Sequence, residues 1–211
     1  MSDLVCVQYG AGLSAPEGWI SFDSSPTLRL QRVPVLGSFT PGPRFPKATR
    51  VGDVLRGLPV SSGSVDRVYC SHVLEHLSLT DCRKAIRETY RVLKPGGVFR
   101  AVQPDLLPLC QKVVEGQADP EAAHEFMRRS VLGYETRQRG LKGVAVAVLG
   151  NSRHMWMWTE AALKKEFEDA GFVDVRRASF GDSGEAVFDA VEAENRWEGH
   201  LGLHCVKPSG G

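Results

Sequence analysis

Hydrophobic and polar positions alternate most clearly over residues 65–102. Residues 65–70 form a short apolar run rich in β-branched and aromatic side chains, as is typical of a buried strand. Ser78 predicts a helix start, because its side chain can cap a helix that carries Asp81 in its first turn. Apolar residues then recur at helical spacing: Cys82, Ile86, Tyr90 and Leu93. Pro95 ends this helix, and two glycines lead into a second strand over residues 98–102. The pattern predicts a strand–helix–strand unit with parallel strands.

Similar patterns extend on both sides of this unit. Further strands are predicted over residues 4–7, 19–22, 48–51, 172–178 and 201–206. Further helices are predicted over residues 106–114, 120–131 and 159–170. Proline and glycine indicate a loop at residues 34–46, whereas residues 144–149 and 185–196 fit more than one structure. Since ligands of open parallel sheets bind at the carboxyl ends of the strands, we expect the functional residues at that edge.

Composition narrows the class of protein. The chain has 211 residues, of which 42% are hydrophobic, so a single domain with a substantial core is expected. A net charge of +1 without a basic cluster gives no electrostatic basis for nucleic-acid binding. No apolar run approaches the roughly 20 residues that span a bilayer. The five cysteines are odd in number and lack metal-type spacing. We therefore expect a cytoplasmic protein without a nucleic-acid partner, a membrane partner or a metal site.

Glycines follow the first predicted strand in a pattern suited to ligand binding. Gly10 and Gly12 let a ligand approach the backbone closely. A dinucleotide site would need a helix after these glycines and an acid about 20 residues further on. Pro16 and Gly18 interrupt that segment, and Asp23 follows too soon, which disfavours a dinucleotide site. An acid at the end of the second strand still suits a ribose diol.

Longer motifs resemble a known family. The segments GWISFDSSP, GDVLRGLPVSSGSVDRVYCSHVLEHL and RVLKPGGVFRAVQPD resemble class I S-adenosylmethionine-dependent methyltransferases, in particular small bacterial type-11-like proteins. HMWMWTEAALKKEFEDAGFVDV and GHLGLHCVKP resemble the C-terminal half of that group. The resemblance implies an α/β, three-layer Rossmann-like fold whose mostly parallel seven-stranded sheet has an antiparallel last strand. It also implies one domain, 1–211, in which residues 104–158 form a substrate-capping insertion.

The resemblance implies roles for particular residues. Cofactor contacts are expected at Tyr9, Gly10, Gly12, Asp23, Asp53, Val54, Ser71 and His72. Among these, the glycines would lie against the methionine part and Asp23 would accept hydrogen bonds from the ribose. Asp53 and Val54 would contact the adenine, and Ser71 with His72 would line the sulfonium. A hydroxyl acceptor benefits from a base with a pKa near neutral, for which the candidates are His72, His76 and His154.

These observations favour a methyltransferase that converts S-adenosylmethionine to S-adenosylhomocysteine while methylating a small-molecule or saccharide-type acceptor at oxygen. One alternative is a methyltransferase-like protein that binds cofactor or a partner without turnover. Two features motivate this alternative. Gln8 stands where an acid is frequent in the family, and the first crossover is short. A remote alternative is a zinc hydrolase, because His72, Glu75 and His76 match H-x-x-E-H. That metal site requires a continuous helix through the motif.

Overall fold

A computed structural model describes residues 4–35, 37, 40, 42–133, 135–136 and 153–210. Within them the strands are β1 Cys6–Tyr9, β2 Trp19–Asp23, β3 Arg50–Val51, β4 Val65–Ser71, β5 Leu93–Pro104, β6 Val173–Ala178 and β7 His200–Val206. The α-helices in the same residues are α1 Pro26–Gln31, α2 Leu79–Val92, α3 Leu106–Glu115, α4 Pro120–Arg129, α5 Glu160–Asp169 and α6 Glu194–Trp197. Short 3₁₀ turns cover Leu74–His76 and Ala186–Ala190.

The described strands form one seven-stranded sheet in the order β3-β2-β1-β4-β5-β7-β6. Neighbouring strands are parallel except at β7, which is antiparallel to both β5 and β6. This arrangement confirms the predicted Rossmann-like methyltransferase fold. The carboxyl ends of β1, β2, β4 and β5 therefore lie at one edge of the sheet.

The central strand–helix–strand unit forms as predicted. The Ser78 hydroxyl accepts a hydrogen bond from the Asp81 amide at 3.2 Å and caps α2. The second strand starts at Leu93, earlier than predicted, because Leu93 already pairs with Val65 before the ladder resumes at Arg67 and Val98. Between these pairs the chain bulges at Gly96, whose φ is +76°. The glycines therefore interrupt a strand that has already begun.

Other elements depart from the sequence pattern in small ways. The first strand is Cys6–Tyr9, two residues later than predicted, and α4 ends at Arg129. Helix α1 was not predicted, although the Ser25 hydroxyl caps it and Pro26 opens it. Residues 185–196 contain a 3₁₀ turn and the start of the short helix α6, which ends at Trp197. Residues 144–149 lie outside the described part of the chain.

The core has two parts, one on each face of the sheet. Successive residues of β4 alternate between them: Val68 and Cys70 belong to the larger cluster, and Tyr69 to the smaller. The larger cluster includes the buried face of α2 and Phe167 of α5, whose ring stacks on Phe99 at 5.2 Å. Burial on both faces explains the three-layer architecture. In the described residues, no helix combines the length and the apolar character that crossing a membrane requires.

Candidate functional site

The loop after β1 is held by the acid that ends β2. Gly10 and Gly12 have φ of +65° and +54°, a conformation that favours glycine. The Gly12 amide donates a hydrogen bond of 2.8 Å to Asp23 Oδ2, and the Ser25 amide donates one of 2.8 Å to Asp23 Oδ1. Asp23 is nearly buried, at 9% exposure. The structure thus brings together Gly12 and Asp23, two residues that the sequence predicts at one site.

The two glycines have different surroundings. A Cβ on Gly10 would lie 2.1 Å from Val73 Cγ2, so Gly10 permits close packing against the segment after β4. A Cβ on Gly12 would have no atom within 4 Å, so the open space of the loop lies at Gly12. Tyr9 points its side chain into the core, where its hydroxyl accepts a hydrogen bond from Thr89 Oγ1 at 3.1 Å. Gly12 therefore has free space on the side where a Cβ would stand, whereas Gly10 is packed against Val73 on that side.

Asp53 and Val54 lie next to this loop. The Gly52 amide donates to the Asp23 carbonyl at 3.1 Å, which ties the segment after β3 to the end of β2. Asp53 Oδ1 accepts from the Leu55 amide at 2.9 Å, while the side chain remains 23% exposed. Val54 is buried in the larger core cluster. Asp53 can therefore accept a further hydrogen bond, and Val54 offers an apolar contact.

The end of β4 carries a neutral histidine. His72 adopts a φ of +55°, and its amide donates to the Val102 carbonyl at 2.8 Å. Its Nδ1 lies 3.1 Å from Ser71 Oγ, and its ring meets that of His200 at 4.7 Å. Burial, followed by the positive charge of Arg196, lowers the pKa of His72 to about 3. The imidazole is therefore uncharged at neutral pH.

A second group of side chains lies beyond β4 and consists of Glu75, His76 and His154. Glu75 Oε1 is 4.0 Å from the Nε2 atoms of both His76 and His154. The Glu75 residue is 0% exposed, and neither carboxylate oxygen has a hydrogen-bond partner in the described residues. Burial raises the pKa of Glu75 to about 7. Burial, followed by the nearby His76, lowers the pKa of His154. A buried carboxyl and two imidazoles thus converge, a constellation that we call the Glu-His-His cluster.

The cluster differs from the H-x-x-E-H motif. His72 is not part of it, because its backbone is left-handed and its ring contacts His200 instead. Only a short 3₁₀ turn, Leu74–His76, follows, so no continuous helix carries the motif. His154 takes the third place in the cluster from the far end of the insertion. The H-x-x-E-H motif joins His76 to Glu75 in the sequence, but no local signal joins His154 to them.

The two ends of the segment 104–158, which the sequence predicts to be an insertion, lie next to each other. Asp105 forms a β-bridge with Trp158, and the Leu106 amide donates to the Trp158 carbonyl at 2.9 Å. Helices α3 and α4 contact each other, and neither contains a buried residue. A cavity of about 110 Å³ lies between them, and none of the predicted site residues lines it. The predicted residues therefore gather at the sheet edge rather than in this cavity.

Comparison with known proteins gives matches to both sequence and fold. A family model described as a methyltransferase domain matches residues 36–101. A Saccharomyces cerevisiae protein described as uncharacterized is 27% identical over 121 residues, which are 56% of this chain and 13% of that protein. The chain therefore spans only a small part of this curated relative.

Solved structures share the fold at low sequence identity. A Methanosarcina mazei structure described as an S-adenosylmethionine-dependent methyltransferase has a TM-score of 0.54 and 15% identity, covering 99% of this chain and 94% of its own. A Haloferax volcanii complex of the Trm112 methyltransferase activator with a methyltransferase gives a TM-score of 0.53 and 20% identity, covering 98% of this chain and 83% of the matched one.

The match of residues 36–101 to the methyltransferase-domain model and the shared fold agree with the resemblance of the sequence motifs to class I S-adenosylmethionine-dependent methyltransferases. The cofactor of this class is S-adenosylmethionine.

Proposed function

We propose that the protein methylates a hydroxyl group of a small-molecule or saccharide-type acceptor, using S-adenosylmethionine bound at the carboxyl edge of β1, β2 and β4. The observation that carries this proposal is the 2.8 Å hydrogen bond from the Gly12 amide to Asp23. It presents an open glycine loop and a nearly buried carboxylate side by side, as a ligand with an amino-acid part and a ribose diol requires.

The residues at this edge fit that cofactor. Each Asp23 oxygen accepts one backbone hydrogen bond, and a carboxylate has about four acceptor positions, so capacity remains for ribose hydroxyls. We assign Gly10 and Gly12 to the methionine part, with Tyr9 contributing its backbone. Asp53 accepts from the adenine amino group, and Val54 packs beside the ring. Ser71 and His72 line the sulfonium.

The neutral state of His72 suits this position. When bound, S-adenosylmethionine supplies an electrophilic methyl carbon whose sulfur leaves as neutral S-adenosylhomocysteine. Methyl transfer needs little covalent help, so positioning contributes most of the rate. An imidazolium beside the sulfonium would repel it, whereas the pKa of about 3 keeps His72 uncharged. His72 therefore positions and contacts the cofactor without opposing its charge.

The acceptor side lies at the Glu-His-His cluster. We assign His76 and His154 to activation of the acceptor hydroxyl, because each presents a ring nitrogen towards Glu75. In the simplest form, a histidine takes the proton that the hydroxyl loses as the new oxygen–carbon bond forms. The insertion over residues 104–158 caps this side, and Met155 and Trp156, exposed by 59% and 43%, offer apolar contacts to an acceptor.

Transfer of a labelled methyl group tests the proposal. The protein is incubated with methyl-labelled S-adenosylmethionine and a panel of hydroxylated small molecules and sugar derivatives. We expect label in an organic acceptor, and we expect His154→Ala to lower that rate at least about 100-fold. Cofactor binding without label in any acceptor would instead support the non-catalytic alternative, which is favoured because the described residues 10–18 between β1 and β2 form no helix.

The cellular location is also a proposal. The five cysteines are all free thiols, and four of them are buried. Free thiols are typical of a reducing compartment, which supports a cytoplasmic location.

A further inference from the structure

We propose that Glu75, His76 and His154 bind a divalent first-row transition-metal ion, for which Zn²⁺ is the test ion. One ligand atom from each residue lies within 4.8 Å of the other two. A small inward movement of the side chains would place all three at bonding distance from one ion, since zinc bonds to nitrogen and oxygen are about 2.0–2.2 Å long. The proposal revises the expectation from sequence that the chain holds no metal.

The buried carboxyl of Glu75 lacks a compensating partner. Its side chain is 1% exposed, and no donor in the described residues reaches either oxygen. A buried polar group without a hydrogen bond is costly, and a buried carboxylate is stable only beside a positive charge. A divalent cation between the three side chains would supply that charge. The unpartnered carboxyl is therefore the independent observation that points to a ligand.

His76 is held in the tautomer that a metal requires. Its Nδ1 lies 2.9 Å from the Arg153 carbonyl oxygen. Because a carbonyl can only accept, Nδ1 carries the hydrogen and Nε2 keeps a free lone pair. That Nε2 is the atom facing Glu75. A backbone carbonyl that orients a ligating histidine in this way is typical of metal sites.

His154 is also fixed in place. The amides of Met155 and Trp156 donate to the Glu75 carbonyl at 2.7 and 3.2 Å. These backbone bonds anchor the segment that carries His154 directly to the residue that carries the carboxylate. The histidine is only 9% exposed, so little side-chain freedom is lost when it binds an ion. Backbone hydrogen bonds thus hold the three ligand-bearing residues close together before an ion binds.

The ligand set defines the chemistry of the ion. Two imidazoles and one carboxylate suit zinc, iron or nickel better than magnesium or calcium. Residues 137–152 contain no histidine, cysteine, aspartate or glutamate, so they add no further ligand of these kinds. Three protein ligands leave a coordination position open. An acceptor hydroxyl bound to such an ion would release its proton to solvent at a lower pH, and the histidines would then act as ligands in place of the base; this consequence rests on the proposed function.

Zinc binding by the full-length, tag-free protein tests the proposal. The protein is treated with a chelator, desalted and titrated with Zn²⁺ by calorimetry, and with Co²⁺ by visible absorption. We expect one ion per chain, and we expect Glu75→Gln and His154→Ala each to weaken binding at least about tenfold. His124→Ala, at an exposed position on α4, is the matched control and should leave binding unchanged.

Thermal unfolding excludes a trivial loss of structure. Without metal, Glu75→Gln should unfold at or above the wild-type temperature. The substitution replaces a buried carboxyl group, which is costly to ionise, with a neutral amide. Added Zn²⁺ should raise the unfolding temperature of the wild type but not of Glu75→Gln. No stoichiometric binding by the wild type, or wild-type affinity for Zn²⁺ in Glu75→Gln and His154→Ala, would overturn the proposal. S-Adenosylhomocysteine binding, measured separately, distinguishes this failure from failure of the methyltransferase proposal.

Discussion

Gly10 and Gly12 share a left-handed backbone but serve different purposes. Gly10 permits contact between the loop after β1 and Val73, because any Cβ there would overlap the valine side chain. Gly12 leaves open space and offers its amide to Asp23. At the level of single residues, one glycine therefore permits close packing, and the other joins the loop to Asp23 through its amide.

The Gly10→Ala substitution separates these contributions. We expect a loss of about 2–4 kcal/mol in the free energy of unfolding, from backbone strain together with overpacking against Val73. Gly63→Ala is the matched control, since Gly63 has a similar φ of +61° but nothing within 4 Å of an added Cβ. It should cost only about 1–2 kcal/mol. Urea unfolding measures both values, and equal losses would contradict the packing role.

Single-residue chemistry was only partly predictable. Asp23 and Gly12 could be paired from sequence because each follows a parallel strand, and neighbouring strand ends meet at one edge. Glu75 and His154 could not be paired, because they lie far apart in the sequence and no periodic pattern predicts that the chain brings His154 back to Glu75. The pKa of His72 could not be predicted either, since it depends on burial and on the distant Arg196.

At the scale of elements, β5 anchors the C-terminal part of the chain through Arg100. This arginine is 0% exposed, and its Nε donates to Glu192 Oε1 at 2.6 Å. It also donates to Asp182 at 2.8 Å and to the Ser179 carbonyl at 3.0 Å, and its guanidinium lies 4.8 Å from the Trp197 ring. The irregular segment between β6 and β7 is thus held to the sheet by one buried cation.

The Arg100→Leu substitution should cost about 3–5 kcal/mol of unfolding free energy, because it leaves Glu192 buried without its charge partner. Arg83→Leu, which breaks the exposed pair with Glu166, is the control and should cost less than about 1 kcal/mol. Denaturant unfolding of the two variants provides the comparison. Losses of similar size would mean that the Arg100 network does not anchor the segment.

Element prediction succeeded where local chemistry determines the outcome. Helix α2 was predicted from its cap and its apolar spacing, and α5 from Thr159 and Gly171. The start of β5 was missed because the glycine bulge looks like a turn in the sequence, and only pairing with Val65 reveals a strand. Helix α1 was missed although Ser25 and Pro26 signal it, because six residues show little periodicity.

At the scale of the whole molecule, buried histidines make stability depend on pH. Burial first, and then Arg176 and Arg100, lower the pKa of His204 to about 4. The unfolded chain takes up protons below about pH 6.5, whereas the folded chain does not. The contribution of His204 to the free energy of unfolding is therefore fully present above pH 6.5 and is lost as the pH falls towards 4. The charged groups that act on His204 are Arg67, Arg100, Arg176 and Asp182.

His204→Gln should flatten this dependence, because the substituted side chain stays neutral throughout the range. Unfolding free energies measured between pH 6.5 and 4.5 would fall less steeply in the variant than in the wild type. His124→Gln, on the exposed face of α4, should reproduce the wild-type slope. A slope unchanged by His204→Gln would assign the acid sensitivity to other groups.

Calorimetric titration with S-adenosylhomocysteine tests whether the glycine loop and Asp23 bind the cofactor. We expect the wild type to bind one molecule, Asp23→Ala to bind at least about 100-fold more weakly, and Glu17→Ala, an exposed acid in the same β1–β2 connection, to bind normally. Thermal unfolding of each variant without ligand shows whether the fold is kept. Wild-type affinity in a folded Asp23→Ala variant would contradict the account.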